Sequence, residues 1–405
     1  MSHHAPAVLF SKTTQPTMFT LIVLASVSAI AMNTFLPSLP NMAQHYNTSA
    51  AIMGLAVGTY LGASAIIQII AGPLADLYGR RPIILWSIAI FTLASFAIIH
   101  TTSLGAFFAL RAVQAIAASA MILSRAIVRD TTDAVTAGSK IAYVTMGMSV
   151  APMLTPALGG YIDTFFGWQG NFWALGFIGM FVWILAYLDQ GETAAASTNN
   201  VWGQFKQYPT LLTSRRFWGY CLASAFGSGA FFAYLGGAPF VGGVIYGLPP
   251  EALGIYFGAP ALGYFAGNFL SGRYSVRVGS DKMVVVGLII TLSGLVMSIA
   301  VDAAHLDSAL TFFGFMTFVG LGNGMTIPNA TAGMLSVRPD LAGTASGLGS
   351  SVMIGGGAAL SALAGIMLRP ENGALVLNTI MATSVAIGLI CILYVMRRNR
   401  ALNTP

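Results

Sequence analysis

Apolar residues along this chain gather in runs of about 20, separated by short polar breaks. A helix needs about 20 mostly apolar residues to cross a bilayer. In the first half such runs fall near 17–40, 50–72, 83–100, 104–127, 139–162 and 170–188. A polar interval over 189–215 carries Asp189, Glu192, Lys206, Arg215 and Arg216 and reads as a linker. The second half gives runs near 217–239, 252–272, 283–301, 308–330, 341–368 and 374–396. The pattern predicts an all-α membrane protein with twelve transmembrane helices, six in residues 1–188 and six in 216–405.

Composition agrees with that pattern. Of 405 residues, 56% are hydrophobic and 7% charged, against roughly 25% charged in soluble domains. The net charge of +6 follows membrane topology rather than a nucleic-acid partner. With both termini cytoplasmic, sixteen of the 18 Lys and Arg side chains fall in inside loops and tails. Only Arg369 falls outside, and Arg111 lies within a helix, which is the positive-inside pattern. Residues 1–16 are polar with one lysine and no early cleavage site, so the first run is expected to be a retained helix. Cys221 and Cys391 sit in separate apolar runs without Cys or His at metal spacing and are expected to pack. No nucleotide-binding loop is present, and no metal or cofactor is expected.

The break between the second and third runs reads Gly72-Pro-Leu-Ala-Asp76-Leu-Tyr-Gly79-Arg80-Arg81-Pro82. Glycines there permit positive φ, and the two arginines stand where a helix leaves the membrane. Residues 271–282 repeat this break in degenerate form, with Gly272 for Gly72, Gly279 for Gly79 and Val276 for Asp76. As a ten-residue loop the first break resembles the signature between helices 2 and 3 of the major facilitator superfamily; Leu77 replaces its usual Arg or Lys. The resemblance implies that superfamily's fold, two pseudo-symmetric six-helix bundles around a central cavity.

Polar groups kept inside spans are the first functional candidates, because lipid makes them costly. All twelve carboxylates fall at the ends of runs or between them. Asn33-Thr-Phe-Leu-Pro-Ser-Leu-Pro40 resembles helix 1 of bicyclomycin- and phenicol-resistance exporters, with Asn33 where those carry an acid. An amide hydrogen-bonds but does not carry a proton. Arg111-Ala-Val-Gln114-Ala115 resembles the superfamily's Arg-x-x-Gln-Gly motif, and its two polar residues share a helix face. The stretch from Pro152 through Thr155, Pro156, Gly159 and Gly160 is similar to the antiporter motif of helix 5, where a proline bend and small residues suit gating. Phe231 to Phe240 and Pro328 to Ala332 also look like the same exporter group.

The resemblance implies a monomeric drug exporter of a bacterial inner membrane that exchanges a small apolar or amphipathic substrate for protons, and no enzyme. Asn33, Tyr60, Arg111, Gln114, Tyr234 and Asn268 are expected to face the substrate. Gly72, Asp76, Gly79, Arg80, Arg81, Pro156, Gly159 and Gly160 are expected to govern conformational change, with Asp76, Arg80 and Arg81 locking the cytoplasmic gate of the outward-facing state. A carrier of a specific metabolite or organic anion through Arg111, or a proton-independent facilitator, stays open.

Overall fold

The computed structural model describes residues 9–11, 14–131, 144, 147–148, 151–193, 211–338, 342–371 and 373–403. These residues are helical, with no strand among them. In chain order the helices are α1 (Met18–Asn33), α2 (Leu39–His45), α3 (Ala50–Tyr78), α4 (Arg80–Ile99), α5 (Leu104–Gln114), α6 (Ala118–Thr131) and α7 (Ala151–Asp189). There follow α8 (Arg215–Phe240), α9 (Pro250–Tyr256), α10 (Ala259–Val278), α11 (Ser280–Ala303), α12 (Ala309–Ser336), α13 (Ala342–Met367) and α14 (Gly373–Asn403). The start of the run at 139–162 and most of the expected linker, 194–210, lie outside the described residues.

Ten helices among the described residues are long and apolar enough to cross a membrane. Five of their starts carry hydroxyl caps: Thr17, Ser49, Ser103, Ser214 and Ser308 each accept a hydrogen bond from a backbone N–H three residues on. One apolar stretch, Leu154–Asp189, is 36 residues long, roughly 54 Å as a straight helix against about 30 Å of hydrocarbon. It is not straight. Gly167 has φ 69° and ψ 174°, and the Asn171 side-chain amide donates to the Gly159 carbonyl at 3.2 Å, so the chain doubles back there.

The break at 72–82 is shorter than its sequence suggests. Gly72 to Tyr78 continue α3, and Arg80 to Pro82 open α4, leaving only Gly79 outside helical geometry, with φ 96° and ψ 154°. A single positive-φ glycine is enough to reverse the chain, and Pro82 is tolerated in a first turn whose N–H groups have no helical partner. The repeat holds in the backbone. Gly279 has φ 90° and ψ 141° between α10 and α11, its N–H bonding Ser275 at 2.9 Å as that of Gly79 bonds Ala75 at 3.1 Å. Asn47 and Gly247, also 200 residues apart, both take positive φ ahead of α3 and α9.

Helices before and after residue 211 meet along α3 against α13 and α8, and along α7 against α9. At the end that carries residues 47 and 247, backbone lies on backbone. A Cβ on Gly54 would come 2.6 Å from the Gly236 carbonyl and one on Gly365 2.9 Å from that of Ala51. Gly160 abuts the Pro250 carbonyl and Gly254 that of Pro156 more tightly still. At the opposite end, Cβ atoms on Gly72 and Gly347 would meet nothing within 4 Å. The contact is closed at one end and open at the other.

Gly79→Ala is expected to destabilise the protein by about 1–3 kcal/mol from backbone strain alone, and further because the new methyl meets the Glu192 carboxylate. Gly279→Ala carries the strain without that clash. Thermal unfolding in detergent should show a larger loss for Gly79→Ala; equal losses would contradict the Glu192 contact.

Candidate functional site

Between the two sets of helices lies a cavity of about 240 Å³. Its walls are mainly apolar: Met32, Leu61, Met121, Pro152, Pro156, Phe231, Phe232, Leu235, Phe257 and Met353. Polar groups are few. Ser28 and Asn33 come from α1, Tyr60, Ser64 and Gln68 from α3, Ser228 from α8, Tyr264 from α10 and Asn323 from α12. No acid or base lines it among the described residues. Apolar walls with a few fixed polar groups are the usual composition of a small-molecule site.

Asn33 and Tyr60 stand where the sequence places them, on the cavity. The Asn33 amide donates to the Ala29 carbonyl of its own helix at 2.7 Å. Tyr60 hydroxyl and Ser28 hydroxyl lie 3.0 Å apart, which ties α3 to α1.

Arg111 and Gln114 do not line the cavity. The Arg111 side chain is wholly buried, with its guanidinium carbon 4.1 Å from the Phe35 ring centre and 4.7 Å from that of Tyr60. Nη1 donates to Gln114 Oε1 at 2.6 Å and, longer, to the Ala31 carbonyl at 3.4 Å. Nε and Nη2 have no hydrogen-bond partner. Gln114 in turn donates to Ser95 Oγ at 2.7 Å. Two aromatic faces thus hold a cation that no carboxylate among the described residues pairs, and Tyr60 stands between it and any occupant. Helix spacing puts Arg111 and Gln114 on one face; it does not say that this face turns inward to α1 and α4.

Tyr234 is also buried off the cavity, its ring 5.2 Å from Phe257 and 6.2 Å from Phe313, its hydroxyl unpartnered. Asn268 donates to the Tyr264 carbonyl at 2.8 Å and lies one turn past the lining. Tyr264, Ser28, Ser64 and Ser228 are lining residues the sequence reading passed over. Serine and tyrosine are common in membrane helices, and nothing in the chain's order distinguishes these from packing ones.

At the open end the two arginines are held within the first half. Arg80 pairs with Asp130 at 3.0 Å. Arg81 donates to the Tyr187 carbonyl at 3.1 Å and stacks over the Tyr187 ring. Glu192 accepts from the backbone N–H groups of both, at 2.9 and 3.2 Å, a carboxylate on the N-terminus of α4. The Asp76 side chain lies outside the described residues. At the closed end Gly159 abuts the Thr34 carbonyl and Gly160 that of Pro250, and Thr164 donates to Glu251 at 2.7 Å. That hydroxyl holds the Glu251 carboxyl below the usual carboxylate range. Asp163 is buried beside them, one oxygen accepting from Asn41 at 2.6 Å and the other without a partner. No group of His, Cys, Asp or Glu among the described residues could hold a metal ion.

The family model of the Major Facilitator Superfamily matches residues 21–362. The chain belongs to that superfamily. A bicyclomycin resistance protein homolog of Haemophilus influenzae is 28% identical over 94% of this chain and 96% of its own length. A chloramphenicol resistance protein of Pseudomonas aeruginosa is 28% identical over 90% and 88%, and multidrug resistance protein D of Escherichia coli 27% over 91% and 93%. Among solved structures, a peptide transporter in complex with sulfate superposes with TM-score 0.77 over 94% of each chain at 13% identity. A D-xylose-proton symporter gives 0.72 over 93% and 96% at 14%.

As a superfamily member the chain is a multi-pass membrane transporter and not an enzyme. Within this transporter the buried Arg111 rests on Gln114. Gln114→Leu is expected to cost about 1–3 kcal/mol, since Nη1 loses its nearest acceptor, and Arg111→Met in that background should restore most of the loss. Melting temperatures of the single and double variants test this; no recovery would contradict an unpaired cation supported by Gln114.

Proposed function

We propose that the protein exports small apolar or amphipathic compounds, antibiotics among them, by alternating access, exchanging them for protons. The observation that carries this reading is the cavity at the junction of the two halves, closed at one end by backbone contact and open at the other. Resistance proteins matched along nearly the whole chain support drug efflux over uptake.

The reading takes the chain as twelve crossings in two six-helix bundles, 1–188 and 216–405, joined by a cytoplasmic linker over 189–215. The ten apolar helices supply most of these; the reversal at Gly167 divides one of them, and α10 adds another. The cation distribution puts residues 79 and 279 and both termini in the cytoplasm of a bacterial inner membrane. The open end is then cytoplasmic, and the arrangement is inward-facing. Asn33 and Tyr60 contact substrate, while Arg111 and Gln114 act from behind Tyr60. In the outward-facing state Asp76, Arg80 and Arg81 lock the closed cytoplasmic end; in the inward-facing state the arginines rest on Asp130 and Glu192. The protein works as a monomer.

Proton exchange is tested in liposomes loaded with a phenicol, with and without an imposed pH gradient. Efflux should follow the gradient. Transport indifferent to pH would reject exchange for protons and favour a facilitator, the reading that Asn33 in place of an acid supports. Asp76→Asn should slow turnover severalfold with substrate affinity unchanged, and wild-type rates would reject the lock.

A further inference from the structure

We propose that the cavity binds an amphipathic organic anion, whose carboxylate or sulfonate is received by Ser64, Gln68 and Arg125 and whose apolar body lies against Phe231, Phe232 and Met353. This rests on the cavity being the transport site.

Ser64 and Gln68 lie one turn apart on α3 and both line the cavity. They are 3% and 6% exposed, yet Ser64 Oγ and Gln68 Nε2 have no hydrogen-bond partner. Ser26, Thr59 and Ser95 satisfy their hydroxyls on the carbonyl one turn back; Ser64 does not. A buried donor left unmade is costly, and an acceptor entering the cavity satisfies it. Both free groups are able to donate, so they select a ligand rich in acceptors.

Arg125 adds a positive charge behind the same wall, without lining it. It stands one turn beyond the lining residue Met121 on α6, which packs against α3. It lies within electrostatic range of Tyr264, another lining residue. Its Nε is buried without a partner, and among the described residues no carboxylate pairs with it. Arg111 lies behind Tyr60, also without an acid. Two cations beside a cavity that no carboxylate lines make its potential positive, which attracts an anion and repels a lipophilic cation. The facing wall from α8 and α13 presents Phe231, Phe232, Leu235 and Met353, aromatic and adaptable surface for a hydrocarbon body. The head-group site is thus Gln68 with Arg125, and Arg111 is screened from it by Tyr60.

The test compares radiolabelled 1-naphthoate, 1-naphthamide and 1-naphthylmethylammonium, three probes sharing one ring system, binding to the full chain in lipid nanodiscs. Naphthoate is expected to bind about tenfold tighter than naphthamide, a difference of roughly 1.4 kcal/mol, with the ammonium weakest. Gln68→Leu and Arg125→Met should each weaken naphthoate about tenfold; naphthamide, whose carbonyl also accepts from Gln68, should lose less than naphthoate in the Gln68 variant and stay within about twofold in the Arg125 variant, which also shows that the variants fold. Phe232→Ala should weaken both. Equal binding of the three probes, tightest binding of the ammonium, or equal losses for naphthoate and naphthamide in the Gln68 and Arg125 variants would overturn the proposal. A protein that moves a phenicol but binds no naphthoate rejects the anion site and leaves drug export standing; one that binds naphthoate at this site but moves no phenicol does the reverse.

Discussion

The structure depends on glycine letting one half's backbone lie directly on the other's. Gly160 against Pro250, Gly254 against Pro156 and Gly54 against Gly236 place carbonyl oxygens where any side chain would stand. Inside a bilayer the hydrophobic effect gives helices no reason to associate, so contact comes from close packing. Such a surface holds when it fits and separates without leaving charges stranded. A side-chain hydrogen bond across it at this end, Thr164 to Glu251, lies at its exposed rim. A contact built this way closes one mouth of the cavity.

Charge is handled differently, and locally. The cations at the open end are satisfied by acids of their own half, Arg80 by Asp130 and the α4 N-terminus by Glu192. In the second half Asp281 accepts from Tyr220 at 2.7 Å and Asn399 at 3.1 Å. Arg111 and Arg125 stand beside the cavity with no acid paired to either among the described residues, while its walls stay apolar.

Much of the fold was legible in the sequence because lipid imposes simple rules. Runs of about 20 apolar residues marked the helices, and Gly79 and Gly279 marked two reversals that share one backbone conformation. The extent of the break at 72–82 was misread, since one glycine does the turning that ten residues seemed to need. For the site, Asn33 and Tyr60 fell on the cavity, whereas Arg111, Gln114, Tyr234 and Asn268 did not. Polarity inside a span says that a group has a partner or a purpose; it does not say which way the helix is rotated. Arg111 found its surroundings in Phe35 and Tyr60, residues 76 and 51 positions away, and no local pattern encodes that. Glu192 read as part of a linker because its partner, the start of α4, lies 112 residues earlier.

The central claim is that the halves exchange one closed mouth for the other. It is tested most directly by distances between spin labels on a background with Cys221 and Cys391 replaced by alanine. One pair sits at Thr164→Cys and Glu251→Cys, the other at Gly72→Cys and Gly347→Cys, where open space accepts the label. Substrate and a change of pH should populate a longer 164–251 distance together with a shorter 72–347 distance. Distributions that stay fixed at both ends under every condition, in protein that still transports, would contradict alternating access.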